Sequence, residues 1–406
     1  MKSLILIFFV FSLAAFIGAR PLVLLQGADF PHFYCASRML ADGHGRQLYD
    51  TCVQRQYQAR FAGRVGTLYT HPPFEAVLYL AVAWLPLRRA YLLWSLLSMA
   101  FLAAAVRHLA RQALLPWDWR VLFVASLTFV PALLCLLQGQ DSLLLLSLVV
   151  LAFTALRRGR AFAAGCWLAL GLFKFQLVIP LVLVLVLTQG RSVRNGLAKG
   201  FSLMLLTLVI VSVAIAGWSV LTLYPRFVLH FQEQPFPDIF PQAMANLRGL
   251  TYFFFHREQS PWAVAILSIL CTAALFKTRI SWKHARMACS LPGTETQREF
   301  DLAFSDTVLC ALLVSYHLNP QDLSLLLLPI SLLLYSMLLR KPRLPDRLNW
   351  ITAGLIGILF LGPLHLWALT AGVYCLVSIP LLALFLVSAG LTTQATSPGK
   401  ATTIQC

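Results

Sequence analysis

The sequence predicts an all-α polytopic membrane protein, and three observations carry this prediction. Of the 406 residues, 59% are hydrophobic and only 12% are charged, which is about half the charged fraction of an average soluble domain. The mean hydropathy is +0.77. Apolar runs near the length of a bilayer span recur along the chain. Because these runs are continuous rather than alternating, they indicate helices and exclude a β-barrel.

The net charge of +17 does not indicate a nucleic-acid partner. The basic residues are scattered over short loops between apolar segments, as the positive-inside rule predicts, and some of them can contact lipid head groups or a substrate phosphate. The stretches assigned to the cytoplasm are 157–160, 191–199, 277–286 and 340–347. The opposite side then receives two large loops, 26–71 and 218–260, and the short stretches 138–141, 173–176 and 316–322.

We expect about 11–13 membrane-spanning helices. The first, residues 3–25, resembles a signal peptide but is long enough to remain as an uncleaved span. The others are predicted at 72–86, 90–106, 120–137, 141–156, 161–188, 200–217, 261–276, 301–316, 322–339, 349–364 and 366–389. Residues 1–390 then form one domain, and residues 391–406 form a disordered tail.

The predicted topology makes two demands on the chain. The 161–188 stretch must split into two short segments that meet near Lys174. Between residues 72 and 117, either one segment does not cross fully or the basic residues 107–111 break the charge rule. In the first loop we expect two short interfacial helices, at 31–42 and 51–62.

Asp29 follows the first span, in the stretch "QGADFPHFY". It can cap the next helix, which has Pro31 in its first turn. It can also act as a reactive carboxylate at the mouth of the bundle, with Tyr34 and Arg38 following at helical spacing. The two roles are not exclusive, and the residues alone leave both open.

Lys174 stands between the apolar stretches "ALGLF" and "FQLVIP". A charge at such a position is costly, so it indicates either an anionic partner such as a phosphate or a side chain that snorkels to the interface. The turn "QGQD" offers Gln138, Gln140 and Asp141. Turns use such residues in any case, so a binding role for these three is a weaker prediction.

The stretch "SYHLNPQD" places His317 and Asp322 at a helix junction. His317 titrates in the useful range and can orient a phosphate or a sugar hydroxyl, whereas Asp322 can simply cap the next helix. The 218–260 loop contains Asn246 and Arg248, and it is either a binding lid or a plain connector. No P-loop, GxGxxG, HExxH or metal-ligand cysteine spacing occurs, so no nucleotide or metal site is predicted.

The motifs together resemble the integral-membrane glycosyltransferases of the GT-C fold, and most closely glycosyltransferase family 87. That family contains the phosphatidylinositol-mannoside mannosyltransferases. The matching pieces run in order up to about residue 340: "DFPHFYCASRMLADGHGRQLYD", "YTHPPFEAVLYLAVAWLP", "GQDSLLLLSLVVLAF", "AGCWLALGLFKFQLVIPLVLVLV", "NLRGL" and "SYHLNPQDLSLLLLP".

The resemblance implies a GT-C-type bundle in a bacterial plasma membrane, with the active site outside the cytoplasm. It implies transfer of a hexose, most simply mannose, from a polyprenyl-phosphate donor to a lipid or glycan acceptor with inversion. The family's catalytic base matches Asp29. Its lysine matches Lys174 and its late histidine matches His317, and we expect both to bind the donor phosphate together with Arg38 and Arg248.

The same resemblance predicts a substrate-binding set: Tyr34, His71, Gln138, Gln140, Asp141, Asn246 and Asp322. Members of the wider fold often have two acidic residues close together in the first loop, whereas Asp29 is followed by Phe30 and Pro31. We therefore assign no metal ligand, and a requirement for a divalent metal stays open. The expected partners are membrane lipids, the lipid-linked sugar and its acceptor.

Three alternatives remain at this stage. A transporter or flippase of lipid-linked sugars would share the spans and the phosphate site, but it predicts inverted repeats and charges at the bilayer midplane, and the sequence shows neither. An oligosaccharide ligase would use a diphosphate-linked donor at a similar site. A purely structural membrane protein would need no polar site at all.

Overall fold

The computed structural model describes residues 29–63, 65–112, 118–230, 240–256, 260–287, 293–339 and 346–393. These residues form helices and no β-strand, which confirms the predicted all-α class. The predicted first span, 3–25, lies outside the described residues. The predicted tail begins inside a helix that ends at Thr393, and the remainder of that tail also lies outside the described residues.

The helices are numbered along the chain. They are α1 (Phe30–Ala41), α2 (Thr51–Ala62), α3 (Pro73–Leu78), α4 (Leu80–Ala83), α5 (Leu87–Gln112), α6 (Trp119–Leu127), α7 (Val130–Gln138), α8 (Ser142–Arg157), α9 (Ala161–Leu170), α10 (Phe175–Thr188), α11 (Arg191–Ala216), α12 (Val220–His230), α13 (Leu247–Phe255), α14 (Pro261–Met287), α15 (Gly293–Val314), α16 (Leu327–Leu339), α17 (Asp346–Leu359), α18 (Gly362–Thr370) and α19 (Ser378–Thr393). Short 3₁₀ segments lie at Gly45–Gln47, Gly171–Lys174, Pro241–Ala243, Pro320–Leu326 and Tyr374–Val377.

The chain is a polytopic membrane protein. Within the described residues, five stretches are long and apolar enough to cross a membrane: Leu87–Gln112, Ala161–Thr188, Arg191–Ala216, Pro261–Met287 and Pro320–Leu338. Two bent pairs, α6 with α7 at 72° and α17 with α18 at 52°, raise the number to seven. This number rests on length and composition within the described residues, so it omits the predicted first span and the shorter apolar helices Ser142–Arg157 and Tyr374–Ser388, and it counts Ala161–Thr188 as one stretch.

The predicted 72–86 segment folds as two short helices, α3 and α4, which break at Tyr79. Six and four residues give only about 9 Å and 6 Å of helix, far less than a bilayer core of about 30 Å. This segment therefore does not cross as a single helix. The finding favours the first of the two alternatives that the sequence left open between residues 72 and 117.

The 161–188 stretch turns back at the 3₁₀ segment that ends at Lys174. At Gly165 the backbone lies so close to the carbonyl of Leu197 that an added Cβ would stand 2.1 Å from that oxygen. Leu197 is only nine residues after Thr188 in the chain, so Gly165 and Thr188 can be at most about 25 Å apart. One straight helix would need about 35 Å. Lys174 therefore lies at the tip of a helical hairpin, as the predicted topology requires.

Towards the C-terminus the predicted boundaries are wrong. The expected spans 349–364 and 366–389 are replaced by α17, α18 and α19, with breaks after Leu359 and after Thr370. Pro363 stands in the first turn of α18, and proline there starts a helix but cannot continue one. The helices of the first loop, in contrast, match the predicted 31–42 and 51–62 within one residue.

A cluster of aromatic side chains fixes α1 against the bundle. The rings of Phe33 and Tyr79 stack with centroids 4.8 Å apart, and the centroid of Trp94 in α5 lies 4.0 Å from that of Tyr79. All three side chains are buried. Aromatic burial of this kind is the main energetic contribution of such residues, and here it holds the start of α1, with Asp29, at a fixed position.

Candidate active site

A cavity of about 860 Å³ opens where α1, the α7–α8 turn, the Lys174 hairpin and the 315–321 segment meet. Six residues singled out in the sequence line it together: Asp29, His71, Gln138, Gln140, Lys174 and His317. Its wall also carries apolar side chains, among them Phe173, Phe175, Val228, Leu229 and Phe240. The cavity thus combines a polar group of convergent side chains with an apolar wall, as ligand sites do.

Asp29 precedes α1, but its side chain makes no capping hydrogen bond. Instead its Oδ2 accepts a hydrogen bond of 2.6 Å from Nε2 of Gln140, a residue 111 positions away. The capping role that the sequence left open is therefore not adopted. The carboxylate of Asp29 is tied to the α7–α8 turn at the cavity wall.

Gly139 brings that turn close enough for the contact. Its φ is +65°, in the left-handed region, and a Cβ built there would stand 2.6 Å from Cβ of Phe30. Only glycine adopts this conformation without strain and leaves room for the neighbouring chain. The turn "QGQD" is thus shaped so that Gln140 faces Asp29.

Lys174 is the centre of a buried polar group, called here the Lys174 cluster: Gln140, Asp141, Lys174 and Asp322. The Nζ atom lies 2.8 Å from Oδ1 of Asp322 and 3.1 Å from Oε1 of Gln140, and it donates a hydrogen bond to each. It also lies 3.3 Å from Oδ1 of Asp141, as an ion pair. The lysine is only 1% exposed, so its ammonium does not snorkel to solvent.

Asp322 caps the 3₁₀ segment, as the sequence allows, and it also pairs with Lys174. Its Oδ2 accepts a hydrogen bond of 3.1 Å from the backbone N–H of Asn319, which caps the 3₁₀ segment. Its Oδ1 accepts from Lys174 and, at 2.8 Å, from the hydroxyl of Ser142. Fully buried charges are tolerated when they are paired and hydrogen-bonded in this way.

Glu75 was not singled out in the sequence, although it is an acidic residue within an apolar segment, which is itself a signal. It is fully buried, and its Oε2 lies 2.9 Å from Nδ1 of His71. Burial and the nearby charge of Asp141, in that order, raise the pKa of Glu75 well above its usual value. Burial lowers the pKa of His71 to about 4. The His71 ring is therefore uncharged at neutral pH.

Two further histidines line the cavity. His32, which was also missed, lies three residues after Asp29 and therefore on the same side of α1. Its ring stacks against that of His71 with centroids 5.8 Å apart. Burial, as the largest cause, lowers the pKa of His32 well below its usual value. It also lowers the pKa of His317, to about 4. The expectation that His317 titrates near neutrality is therefore wrong, because the ring is desolvated.

Asn246 and Arg248 hold the segment that carries His317. Asn246 caps α13 by accepting from the N–H of Gly249 at 2.8 Å, and its Nδ2 donates to the carbonyl of Ser315, also at 2.8 Å. Arg248 donates from Nη1 to the carbonyl of Tyr316 at 2.9 Å, and its guanidinium lies 4.0 Å from the centroid of that ring. Tyr316 itself lines the cavity.

Tyr34 and Arg38 do not line the cavity. The Tyr34 hydroxyl donates to the carbonyl of Leu85 at 2.9 Å, and Nη1 of Arg38 donates to the carbonyl of Ala83 at 3.0 Å. On a helix, positions five and nine residues after Asp29 lie about 140° and 180° around the axis from it. These two side chains therefore tie α1 to the region around α4, on the side away from the carboxylate.

A metal-binding arrangement is not found within the described ranges: no group of three or more His, Cys, Asp or Glu side chains there could hold a metal ion. In the Lys174 cluster, Asp322 accepts hydrogen bonds from Lys174, from the hydroxyl of Ser142 and from the backbone N–H of Asn319, and Asp141 forms an ion pair with Lys174.

Comparison with known proteins gives one match. A family model described as glycosyltransferase family 87 matches residues 69–293, which is just over half of the chain. The matched range contains Gln140, Lys174 and Arg248, whereas Asp29 and His317 lie on either side of it and are brought to the cavity by the fold. No curated protein and no solved structure matches the chain.

Proposed function

Because the chain belongs to glycosyltransferase family 87 and is a membrane glycosyltransferase, we propose that it transfers a hexose, mannose, from a polyprenyl-phosphate donor to a lipid or glycan acceptor with inversion. The observation that carries this proposal is the carboxylate of Asp29, which lines a large cavity and is held there by Gln140. A positioned carboxylate at such a place is suited to act as a general base.

In the proposed reaction, Asp29 removes the proton from the acceptor hydroxyl while the hydroxyl oxygen attacks the anomeric carbon. The bond between that carbon and the phosphate oxygen breaks, and polyprenyl phosphate leaves with the electron pair. A phosphate is a good leaving group, so a single carboxylate suffices, unlike the pair that glycoside hydrolysis needs. Attack on the face opposite the leaving group inverts the anomeric configuration.

The phosphate needs neutralising charge as it departs. Arg248 is our candidate: it does not itself line the cavity, but its guanidinium stacks on Tyr316, which does, and arginine is well suited to phosphate oxygens. His317 is uncharged at neutral pH, so in this proposal it offers a hydrogen bond rather than a charge. The apolar wall formed by Val228, Leu229 and Phe240 would take the first prenyl units.

We place the active site on the extracytoplasmic side of a bacterial plasma membrane. The basic stretches of the sequence favour this orientation under the positive-inside rule. Nucleotide sugars are not available on that side, which agrees with a lipid-linked donor and with the lack of a P-loop or a GxGxxG motif in the sequence.

The proposal is tested with purified protein in proteoliposomes, labelled polyprenyl-phosphate mannose and a lipid extract that supplies acceptors. We expect wild type to transfer the label and Asp29→Asn to lose roughly 100- to 10,000-fold in rate. The matched control is Asp42→Asn. Asp42 is an exposed aspartate of the same loop, and within the described residues its side chain accepts one hydrogen bond, from Tyr57 at 3.1 Å. Its replacement should therefore leave transfer unchanged.

Transfer by Asp29→Asn at the wild-type rate would contradict the assignment of the base. Nuclear magnetic resonance of the product reports whether the configuration is inverted. Parallel donors with glucose or with a diphosphate link distinguish the sugar and separate this reaction from that of an oligosaccharide ligase. Movement of the labelled donor across the bilayer without transfer would instead support a flippase.

A further inference from the structure

We propose that Lys174 is a positioning residue that acts on Asp29 through Gln140, and that it does not bind the donor phosphate. This inference rests on the proposed function, in which Asp29 is the general base. It changes the role that the sequence alone suggests for the lysine, and it gives Gln140 a defined task in the reaction.

The ammonium of Lys174 is already fully engaged. A lysine has three N–H donors and no acceptor, and three oxygens surround this Nζ within 3.3 Å: those of Asp322, Gln140 and Asp141. To reach a phosphate, the lysine would have to break contacts that are buried from solvent, and it would leave a carboxylate without its partner. Breaking a buried pair in this way is strongly unfavourable, because it leaves a buried charge without a partner.

The charge around the lysine also disfavours a phosphate. Two aspartates contact one ammonium, and neither carboxylate is exposed. A phosphate brought to hydrogen-bonding distance of Nζ would stand close to both carboxylates, and like charges in such a weakly screened place repel strongly. With two carboxylates beside one ammonium, the Lys174 cluster thus offers no surplus positive charge to a phosphate.

The lysine fixes the orientation of the Gln140 amide. Because Lys174 can only donate, the amide oxygen must face it, and the amide NH₂ group is then directed at Asp29. The observed contacts agree, with Oε1 accepting from Lys174 at 3.1 Å and Nε2 donating to Oδ2 of Asp29 at 2.6 Å. A donor aimed at a carboxylate favours its ionised form, which is the form that a general base requires.

The first test compares Gln140→Leu and Gln140→Glu, which remove the donor without leaving the lysine cluster short of a cation. We expect the kcat of Gln140→Leu to fall about 10- to 100-fold, with little change in the KM for the donor. In Gln140→Glu two carboxyl groups share one site, so the acid limb of the pH–rate profile should move up by about one unit or more. An unchanged profile in both variants would overturn the proposal.

The second test is a double-mutant cycle with Lys174→Gln. If the lysine acts through Gln140, the effects of Lys174→Gln and Gln140→Leu on kcat do not add, because the second change removes a link that is already lost. Additive effects would contradict the proposal. Lys277→Gln is the matched control, since Lys277 also pairs with a buried aspartate, at 3.1 Å, but does not line the cavity. This variant reports what the loss of a lysine paired with a buried aspartate does to folding alone.

A third measurement needs no turnover. Binding of farnesyl phosphate, a short polyprenyl phosphate, is measured for wild type, Lys174→Gln and Arg248→Gln in nanodiscs. We expect Lys174→Gln to bind as wild type does and Arg248→Gln to lose about tenfold or more in affinity. Loss of affinity in Lys174→Gln, with a normal pH profile, would identify the lysine as the phosphate ligand and would refute the proposal.

Failure of the proposed function can be told apart from failure of this inference. If wild type transfers sugar and Asp29→Asn does not, but the Gln140 variants keep the wild-type profile, only the inference is wrong. If wild type transfers no polyprenyl-linked sugar, the donor assignment is wrong. The effect of Gln140 on Asp29 is then measured without turnover, from the pH at which Asp29 ionises in infrared difference spectra against Asp29→Asn. This pH should be higher in Gln140→Leu than in wild type, and it should be unchanged if Gln140 does not act on Asp29.

Discussion

Within the described residues, two lysines pair with buried aspartates, and the two sites differ in whether their contacts reach the cavity. In the Lys174 cluster the lysine contacts two carboxylates and an amide, and that amide leads to a carboxylate at the cavity wall. In the second site, called here the Lys277 cluster (Lys277, Ser281, Asp306 and Ser388), one lysine faces one carboxylate at 3.1 Å, and two serine hydroxyls donate to that carboxylate.

The Lys277 cluster looks like a cross-link between helices. It joins α14, α15 and α19, its charges balance, and the Nζ atom lies 3.6 Å from the centroid of the Phe385 ring. None of its members lines the cavity. A buried ion pair of this kind is satisfied within itself. The Lys174 cluster differs, because its hydrogen bonds continue through Gln140 to Asp29. We therefore expect loss of the lysine to lower the reaction rate as well as the stability of the fold.

The largest expected contrast comes from replacing each lysine by methionine. Both Lys174→Met and Lys277→Met leave buried aspartate without a cation, so each should lose roughly 3–5 kcal/mol of unfolding free energy. Only Lys174→Met should also lower kcat, by about 10- to 100-fold, because the Gln140 amide is no longer oriented. Thermal unfolding and turnover per folded molecule, both measured in the same detergent, check this contrast.

Equal losses of kcat in the two variants would show that turnover follows general stability and would remove the distinction between the two sites. Unchanged kcat in Lys174→Met would show that the amide keeps its orientation without the lysine.

The next contrast restores charge balance. Adding Asp306→Asn to Lys277→Met removes the unpaired carboxylate and keeps an acceptor for the serine hydroxyls, so most of the lost stability should return. Adding Asp322→Asn to Lys174→Met should recover stability in part, because Asp141 remains. Turnover should stay low in the second double variant and normal in the first. Recovery of turnover together with stability in the second would contradict a specific role for Lys174.

Two left-handed glycines give a smaller contrast of the same kind. Gly139, next to the Lys174 cluster, and Gly159, between α8 and α9, have φ of +65° and +72°. An alanine at Gly159 meets no atom within 4 Å, whereas at Gly139 its Cβ would stand 2.6 Å from Cβ of Phe30. Gly159→Ala should therefore cost about 1–2 kcal/mol, and Gly139→Ala should cost about 1–3 kcal/mol more from overpacking.

Measuring kcat distinguishes the two glycine variants further. Gly139→Ala should lower kcat, because relief of the clash moves Gln140 away from Asp29, and Gly159→Ala should leave kcat unchanged. If both variants lost only stability, the turn would hold the fold together without setting the distance between Gln140 and Asp29.

The sequence predicts one of the two lysine sites and does not reveal the other. Lys174 could be singled out because one charge stands inside a long apolar run, and such a charge needs a partner. Lys277 begins the basic stretch 277–286, which lies within α14 up to Met287. Its contacts Asp306 and Ser388 lie on α15 and α19, and Ser388 is 111 residues away. The composition of a local stretch does not reveal which distant residues will pair with it.

The same limit explains the site residues that were misplaced or missed. Periodicity predicted the boundaries of α1 well, and yet Tyr34 and Arg38 were expected beside Asp29 although the helical rotation turns them away from it. The ring partner of His32, His71, comes from another segment, so the sequence does not reveal that contact. Glu75, by contrast, pairs with His71 only four residues before it, and this local pair could have been predicted from the sequence. The breaks inside 72–86 and 366–389 depend on packing at Tyr79 and at the 371–373 turn, which apolar runs do not reveal.

The last expected effect concerns pH and stability at the cavity, and it appears only below neutral pH. Burial lowers the pKa of His317 to about 4, whereas an unfolded histidine titrates near about 6.5. Between these two values the unfolded chain binds a proton that the folded protein does not, so stability falls as the pH decreases, by at most about 1.4 kcal/mol per pH unit for this group. In His317→Asn this contribution is absent. The unfolding temperature of wild type should therefore decrease relative to that of the variant between pH 6.5 and 4 and run parallel to it above pH 7. His44→Asn, at an exposed position of the first loop, controls for the loss of an imidazole. Parallel curves over the whole range would mean that the His317 ring is hydrated, and the proposed closed wall of the cavity would then have to be open to water at the 315–317 segment.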